Sequence, residues 1–456
     1  MTEATTDTIF ALSSAAGKAG LSVIRVSGPK AWESLAALTH KDKLPAAHQG
    51  RLMTLRNLKT GDIIDKALII GFKAPASFAG EDVIEYHCHG SLAVVDEMLA
   101  VLSSFDGHRL AEPGEYTRRA FENGKMDLTE AEAVADLIDA ETTAQKNQAL
   151  MQMGGALANL YNGWAKELTK ALAYVEAIID FPDEDVPDTE TQKAVPAIGK
   201  ITAEIKDHLN DNRRGERLRQ GIHVAVIGAP NAGKSSLVNA LTQRDVAIVS
   251  SIAGTTRDII EAHLNLGGYP VILSDTAGLR PDQLSDDAQG SIESEGIQRA
   301  LKRAIEADIR LLVFDGSADK VDHHTLDLID ENAIVLMNKS EIANAQMTAL
   351  LKDYHAYTIS VKTGAGLAEF LNHLTSKIKA LMGSRSAGDA PSLTRRRHRA
   401  ALESALENLT LAMAQDQPEL MAQELRIALS SLGRITGRVD VEDLLDVIFR
   451  DFCIGK

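Results

Sequence analysis

The chain has 456 residues, 45% hydrophobic and 25% charged, the balance of a globular protein long enough for about three domains. Lys+Arg is 48 and Asp+Glu is 64, a net charge of −16, which excludes a protein coated in basic residues but leaves room for a local basic patch. Two cysteines, Cys88 and Cys453, exclude a disulfide framework and point to a reducing cytoplasm, and no apolar run reaches the roughly 18 residues of a membrane span. The opening MTEATTDTIF has two acids and no base, unlike a signal or transit peptide.

Residues 8–28 predict a strand, a Gly-containing loop and a second strand. Leu21, Val23, Ile24 and Val26 are β-rich, and Ser27-Gly28-Pro29 ends the run. Further strands are expected at 67–72 and 82–87 and a helix at 91–104, giving an α+β domain over 1–125. At Thr129 the texture changes. Thr129-x-x-Glu132 reads as a capping box, and Ala133, Val134, Leu137, Ile138, Leu150, Leu160, Leu168, Leu172 and Val175 follow with helical spacing. Long helices are therefore expected over 129–179, stopped by Pro182, with another helix over 195–212. The first helical part is 126–220.

Short apolar strands suited to a parallel sheet are expected at 222–227, 271–274, 309–314, 333–337 and 356–360, with helices between them. They define an α/β domain over 221–382. A Gly/Ser/Ala-rich linker follows, and 392–450 reads as helical again. The tail 383–456 is expected to pack against 129–212. The α/β domain is then an insertion in a discontinuous helical domain.

Gly228-x-x-x-x-Gly233-Lys234-Ser235 matches the P-loop pattern between a strand and the helix SSLVNAL. By chance the pattern would arise on the order of 0.01–0.05 times in such a chain. Its backbone N–H groups, with Asn231, Ala232, Gly233 and Ser236, suit phosphates at a helix N-terminus. Lys234 should reach the β- and γ-phosphates, and Ser235 should ligate Mg²⁺. Asp275-Thr276-Ala277-Gly278 follows a strand, where the Asp would hold Mg²⁺ through water and the Gly N–H would sense the γ-phosphate. Ser250, Ser251, Ile252, Ala253, Gly254, Thr255 and Thr256 form the switch segment before it. Asn338-Lys339-Ser340-Glu341 sits where GTPases carry NKxD, and Ser360-Val361-Lys362 fits the segment that backs guanine. Together, in order after successive strands, they define a Ras-like GTPase domain and disfavour an ATPase. Two departures stand out. Leu279 cannot orient water, so the catalytic group must come from elsewhere. Glu341 replaces Asp, moving the guanine-binding carboxylate by about 1.5 Å, with weaker or less selective guanine binding expected.

Other candidates read as structural. His87 and His89 share a strand face from which Cys88 points away, with no second cluster to complete a metal site. The clusters Arg118-Arg119, Arg213-Arg214-Arg217-Arg219 and Arg395-Arg396-Arg397-His398-Arg399 suit nucleic-acid phosphates or solvated helix faces.

From end to end the chain resembles the tRNA modification GTPase MnmE (TrmE) family. The resemblance rests on IRVSG, GEDVIEYHCHG, EPGEYTRRAFENGKMDLTEAEAVADLIDA, IDFPDED, the P-loop, SIAGTTRD, DTAGL, RRRH and the terminal FCIGK. It implies an N-terminal folate-binding domain that dimerises, a two-part helical domain and an inserted G domain. It implies a heterotetramer with a flavoprotein, MnmG. The pair adds an aminomethyl-type (or carboxymethylaminomethyl) group to carbon 5 of the tRNA wobble uridine, using a 5-formyl or methylene tetrahydrofolate unit. It implies K⁺-dependent GTP hydrolysis on G-domain dimerisation. Asn231, Ser250, Ile252 and Thr255 match the family's K⁺ ligands, Ser250 and Ile252 through carbonyls, and Ser235 and Thr256 its Mg²⁺ ligands. Glu293, in Glu293-Ser-Glu-Gly296, matches the catalytic glutamate, with Glu295 close by. Arg25, Glu85, Lys125 and Lys456 match folate contacts, and Cys453 is a candidate in the one-carbon chemistry. The rival reading is a regulatory or ribosome-assembly GTPase, which would not need the flanking domain or the CIGK tail.

Overall fold

A computed structural model describes residues 7–40, 44–180, 188–243, 261–275, 306–383, 391–439, 442–450 and 452–455. The chain forms two compact units. One comprises Met1–Ala135, Gln152–Thr202 and Ala401–Lys456, the other Asp136–Met151 and Ala203–Ala400.

The first unit is built on a six-stranded sheet of β1 (Thr8–Leu12), β2 (Ala19–Ser27), β3 (Arg51–Arg56), β4 (Ile63–Phe72), β5 (Val83–Gly90) and β6 (His108–Leu110), in the order β3-β4-β5-β2-β1-β6. Strand alternation turns Phe10, Ile24, Val26, Met53, Ile69, Ile84 and Tyr86 to one face. There they are buried with Leu35, Leu38 and Met98 of the helices Ala31–Thr39 and Leu92–Ser103. The opposite face carries the cross-strand row Leu52, Leu68, His87 and Val23. Leu52 and Leu68 on it are 69% and 41% exposed. β3 and β6 were not expected: RLMTLR is short and charged at both ends, and the three residues of β6 pair only because β1 lies beside them.

The helical run over 129–179 resolves into Leu128–Ile138, Thr143–Met153 and Ala156–Asp180. The cap of the first differs from the expected Thr129–Glu132 box. Asp127 Oδ1 accepts from the Glu130 N–H at 2.9 Å, and the Glu130 carboxylate accepts from the Asp127 N–H at 2.8 Å. The reciprocal geometry is the same, shifted two residues earlier. The Asp127 carboxylate accepts from the Thr129 hydroxyl as well, at 2.8 Å, so Thr129 becomes a buried first-turn residue. The helix Asp188–Leu209 starts before the expected 195 and carries Pro196 inside. Pro182 lies outside the described residues. The expected tail helix is three: Arg396–Met413, Pro418–Thr436 and Glu442–Arg450. Pro418–Thr436 packs along Ala156–Asp180. No helix among the described residues is long and apolar enough to cross a membrane.

The second unit holds β7 (Ile222–Ile227), β8 (Glu261–Leu266), β9 (Tyr269–Asp275), β10 (Ile309–Asp315), β11 (Ala333–Asn338) and β12 (Tyr357–Thr358), in the order β12-β11-β10-β7-β9-β8. All neighbours are parallel except β8, antiparallel to β9. β8 was not expected. EAHLNL alternates, with Ala262, Leu264 and Leu266 buried, as an edge strand needs. β12 is shorter than 356–360 because Ser360 enters a turn, its carbonyl accepting from the Gly364 N–H at 2.8 Å. The sheet packs on Phe370, Leu374 and Ile378 of the helix Leu367–Met382. β7 lies between β10 and β9, so strand order reverses there and the crevice opens at the carboxyl ends.

Candidate functional site

The P-loop runs from β7 into the helix Lys234–Thr242. Gly233 caps that helix at φ 95°, and a Cβ there would collide with the Asn338 amide, so both backbone angle and space demand glycine. Asn231 is also left-handed, at φ 64°, a conformation asparagine tolerates. Ala232 is buried, while Asn231, Ser235 and Ser236 are exposed at the mouth of the loop. The Lys234 ammonium donates to the carbonyls of Gly228 and Ala229 at 2.9 and 3.0 Å, lying over its own loop.

Asn338 ties the site together. Its buried amide donates to the Ala232 carbonyl at 2.9 Å, and its oxygen accepts from the Val361 N–H at 3.1 Å. One side chain thus fastens the P-loop to the segment after β12. Lys339 follows at φ 58°, its Nζ 2.6 Å from Asp315. Burial works against the Asp315 charge, but Lys339 and the Ser317 hydroxyl and N–H hold its carboxyl below the usual range. Glu341 is exposed in the turn Ser340–Ile342. The Ser360 hydroxyl is the main group holding the Glu341 carboxyl below its usual range, with its own N–H, Lys362 and Lys339 adding to it. Ser360 itself is buried and accepts from the Thr363 N–H at 3.1 Å. The backbone of Asp275 ends β9 opposite Val226. Ser250, Ser251, Ile252, Ala253, Gly254, Thr255, Thr256, Thr276, Ala277, Gly278, Glu293 and Lys456 lie outside the described residues. Asp315 was missed from the sequence; its signal is a lone acid ending an otherwise buried strand, IRLLVFD.

A second cluster sits on the open face of the first sheet. Arg25 and Glu85 are cross-strand partners, with Arg25 Nε and Nη2 both donating to Glu85 Oε1 at 3.1 and 3.0 Å. The other Glu85 oxygen is 3.3 Å from His87 Nε2. The guanidinium lies over the rings of Phe78 and Tyr116, at 5.8 and 5.5 Å, and Tyr116 donates to the Arg25 carbonyl at 2.9 Å. Lys125 donates to the Pro75 carbonyl at 3.0 Å, in the same loop as Phe78. The chain end comes to this domain too. Ser13 donates to the Gly455 carbonyl at 2.9 Å, the Gly114 N–H donates to the Cys453 carbonyl at 3.3 Å, and Ile454 bridges Pro113. Gly455, at φ 96°, lies so close to the Leu12 carbonyl that no Cβ fits. The Cys453 side chain is exposed.

The remaining candidates are spent on structure. Cys88 is buried in the sheet core, and burial pushes its thiol up to about 12. His89 pairs with Asp65 at 2.8 Å. Among the described residues no group of three or more His, Cys, Asp or Glu side chains is placed to hold a metal ion. Six of the clustered arginines make ion pairs among the described residues, Arg118 with Glu122 and Asp446. Arg119 is buried against Asp7, Glu81 and Glu115; Arg217 meets Asp308; Arg219 and Arg395 share Asp136; Arg399 meets Asp211 and Glu216.

A mostly parallel sheet with a P-loop at its switch point, fastened by an NK asparagine, defines a P-loop GTPase domain of the Ras-like kind, in a chain that also holds an α+β domain and helices. Two family models match: the N-terminus of the GTP-binding protein TrmE over residues 8–125 and the MnmE helical domain over 128–453. The tRNA modification GTPase MnmE of Paramagnetospirillum magneticum is 50% identical over 452 residues, 99% of this chain and 100% of its own. Those of Parvibaculum lavamentivorans and Rhodospirillum rubrum are 49% and 47% identical, each over 99% of this chain and 100% of their own. The chain belongs to the tRNA modification GTPase MnmE family. Among solved structures, the G domain of the T. maritima FeoB iron transporter aligns over 35% of this chain and 99% of its own, at 25% identity and a TM-score of 0.26.

Proposed function

We propose that this chain hydrolyses GTP in the service of tRNA modification. The observation that supports the reading is the buried Asn338 bridge, which ties the P-loop to the segment after β12, the two stretches read here as phosphate and base contacts. Lys234 reaches the β- and γ-phosphates by leaving the carbonyls it now caps, and Ser235 and Thr256 would hold Mg²⁺, which would supply positive charge to the phosphates. Asn231, Ser250, Ile252 and Thr255 would hold K⁺, which would supply positive charge to the developing transition state, and Glu293 would position water where a Gln-bearing GTPase uses its glutamine.

The finer chemistry is read from the second cluster. Arg25, Glu85, Lys125 and Lys456 bind a folate: a carboxylate suits the pterin's amino and ring N–H groups, and cations suit the glutamate tail. The exposed leucines on the same sheet face support a homodimer built there. The domains are 1–125, 126–220, 221–382 and 383–456. In the cytoplasm, with the flavoprotein MnmG, the dimer adds an aminomethyl-type or carboxymethylaminomethyl group to carbon 5 of the wobble uridine, using a folate one-carbon unit. Hydrolysis measured in K⁺ and Na⁺ at matched ionic strength tests the first half; equal rates would remove the K⁺ assignment. Nucleoside analysis of tRNA from cells lacking the protein tests the second; unchanged wobble uridines would favour the regulatory switch.

A further inference from the structure

Asp315 has no role in the reading above, yet it is placed where the base-binding segment begins. It ends β10, and its backbone stands opposite Asn338 in the parallel register. Its Oδ1 accepts from the Ser317 N–H at 2.9 Å and the Ser317 hydroxyl at 2.6 Å, which fixes the carboxylate plane. Its Oδ2 then faces Lys339 Nζ at 2.6 Å.

Lys339 is held from the other end as well. Its left-handed backbone, φ 58° and ψ 40°, is a conformation that only surrounding contacts maintain in a side chain of this kind. Those contacts are present: the Gly316 N–H donates to the Asn338 carbonyl at 2.8 Å, and the Ile342 N–H to the Lys339 carbonyl at 3.0 Å. Asn338 is thereby turned into the P-loop while the lysine stem is stretched between its own backbone and Asp315. A free lysine would sample many rotamers, and a ligand packing on its stem would have to order them.

We propose that Asp315 is a positioning residue for nucleotide binding: it anchors the Lys339 ammonium so that the lysine stem is ordered, before nucleotide arrives, as the surface on which the guanine ring lies. The proposal rests on Asn338, Lys339 and Glu341 being the base-binding segment. Because the base is common to both nucleotides, Asp315 acts equally on GTP and GDP and has no part in bond cleavage.

The test uses the full-length protein, with fluorescent GDP and GTP-analogue titrations and steady-state hydrolysis. Asp315→Asn is expected to raise Kd for both nucleotides by about 5–20-fold, with the loss in KM rather than kcat, and Asp315→Glu to recover part of it. Lys339→Ala should weaken both as well. Adding Asp315→Asn to Lys339→Ala should cost less than about twofold more, since the two act as one unit. If Asp315→Asn does not fold, Asp315→Glu alone and combined with Lys339→Ala gives the same cycle. Multiplying losses in the double variant, a loss confined to GTP, or unchanged affinity in Asp315→Asn while Lys339→Ala is weakened would each overturn the positioning role. Unchanged GDP affinity in Lys339→Ala would instead overturn the base-binding reading beneath it.

Discussion

The two sheets solve the problem of presenting a polar site in opposite ways. In the α/β unit the site is made of backbone at the carboxyl edge of a parallel sheet: a glycine-capped helix start, a left-handed asparagine and a left-handed lysine, braced by one buried amide. In the α+β unit it is made of side chains standing on the face of an antiparallel sheet, Arg25 against Glu85 with two rings behind the guanidinium. A backbone site is specified by short contiguous motifs, because each loop supplies its own donors. A face site is specified by register, because its partners come from different strands.

The sharpest way to break that contrast is at the chain end. Deleting residues 453–456 removes the segment held by Ser13 and Gly114. It is expected to abolish tRNA modification and weaken folate binding, while K⁺-stimulated hydrolysis continues. Modification at the normal rate would make the tail a plain terminus; Cys453→Ser then separates thiol chemistry from packing.

Next in size is the buried ion network. Replacing Arg119 with Met leaves Asp7, Glu81 and Glu115 without their shared cation, at a cost of about 3–5 kcal/mol. Denaturant unfolding should show this loss in the α+β unit, with nucleotide affinity retained. A fall in GTP affinity of the same size would mean the two sites are not independent.

The same network sets an acid limit. Burial opposes the charge of Glu115, but Arg109, the Glu112 N–H and Arg119 outweigh it and hold the carboxyl below its usual range. A depressed folded pKa contributes stability that is present above the unfolded value of about 4 and is lost as pH falls through the folded one. Glu115→Gln should therefore be less stable than the parent at pH 7, and the gap should close towards pH 2. Urea midpoints against pH for both proteins check it; a constant gap would assign the loss to packing.

The smallest expected effect sharpens the backbone site. Glu341→Asp restores the shorter carboxylate of NKxD and is expected to tighten GDP and GTP by about 1 kcal/mol. The Ser360 hydroxyl is the competing influence, since it already engages the longer side chain. Calorimetry showing no gain would mean that this contact sets the carboxylate where guanine needs it.

Much of the molecule was legible in the chain because its signals are local. The P-loop, the NK pair and the strand–helix alternation each occupy one stretch, and the helical regions follow from spacing, though not their breaks: 129–179 and 392–450 each divide into three helices. β3, β6 and β8 were not legible. They are short strands whose backbone groups are satisfied only by a neighbour, so nothing within them announces pairing. The cap at Asp127 slipped for a related reason: two boxes overlap in DLTEAE, and the choice depends on which carboxylate meets which N–H.

The sequence by itself determined the family, the nucleotide chemistry and the domain classes, since residues adjacent in the chain carry them. Only the tertiary structure decided partners. Arg25 finds Glu85 across 60 residues and Lys339 finds Asp315 across 24. Among the described residues, six arginines that looked ready for phosphate pair with carboxylates of the chain instead. A charge in a sequence has no direction. Direction comes from strand register and helix packing, which bring particular carboxylates within hydrogen-bond reach, Asp308 to Arg217 and three at once to Arg119.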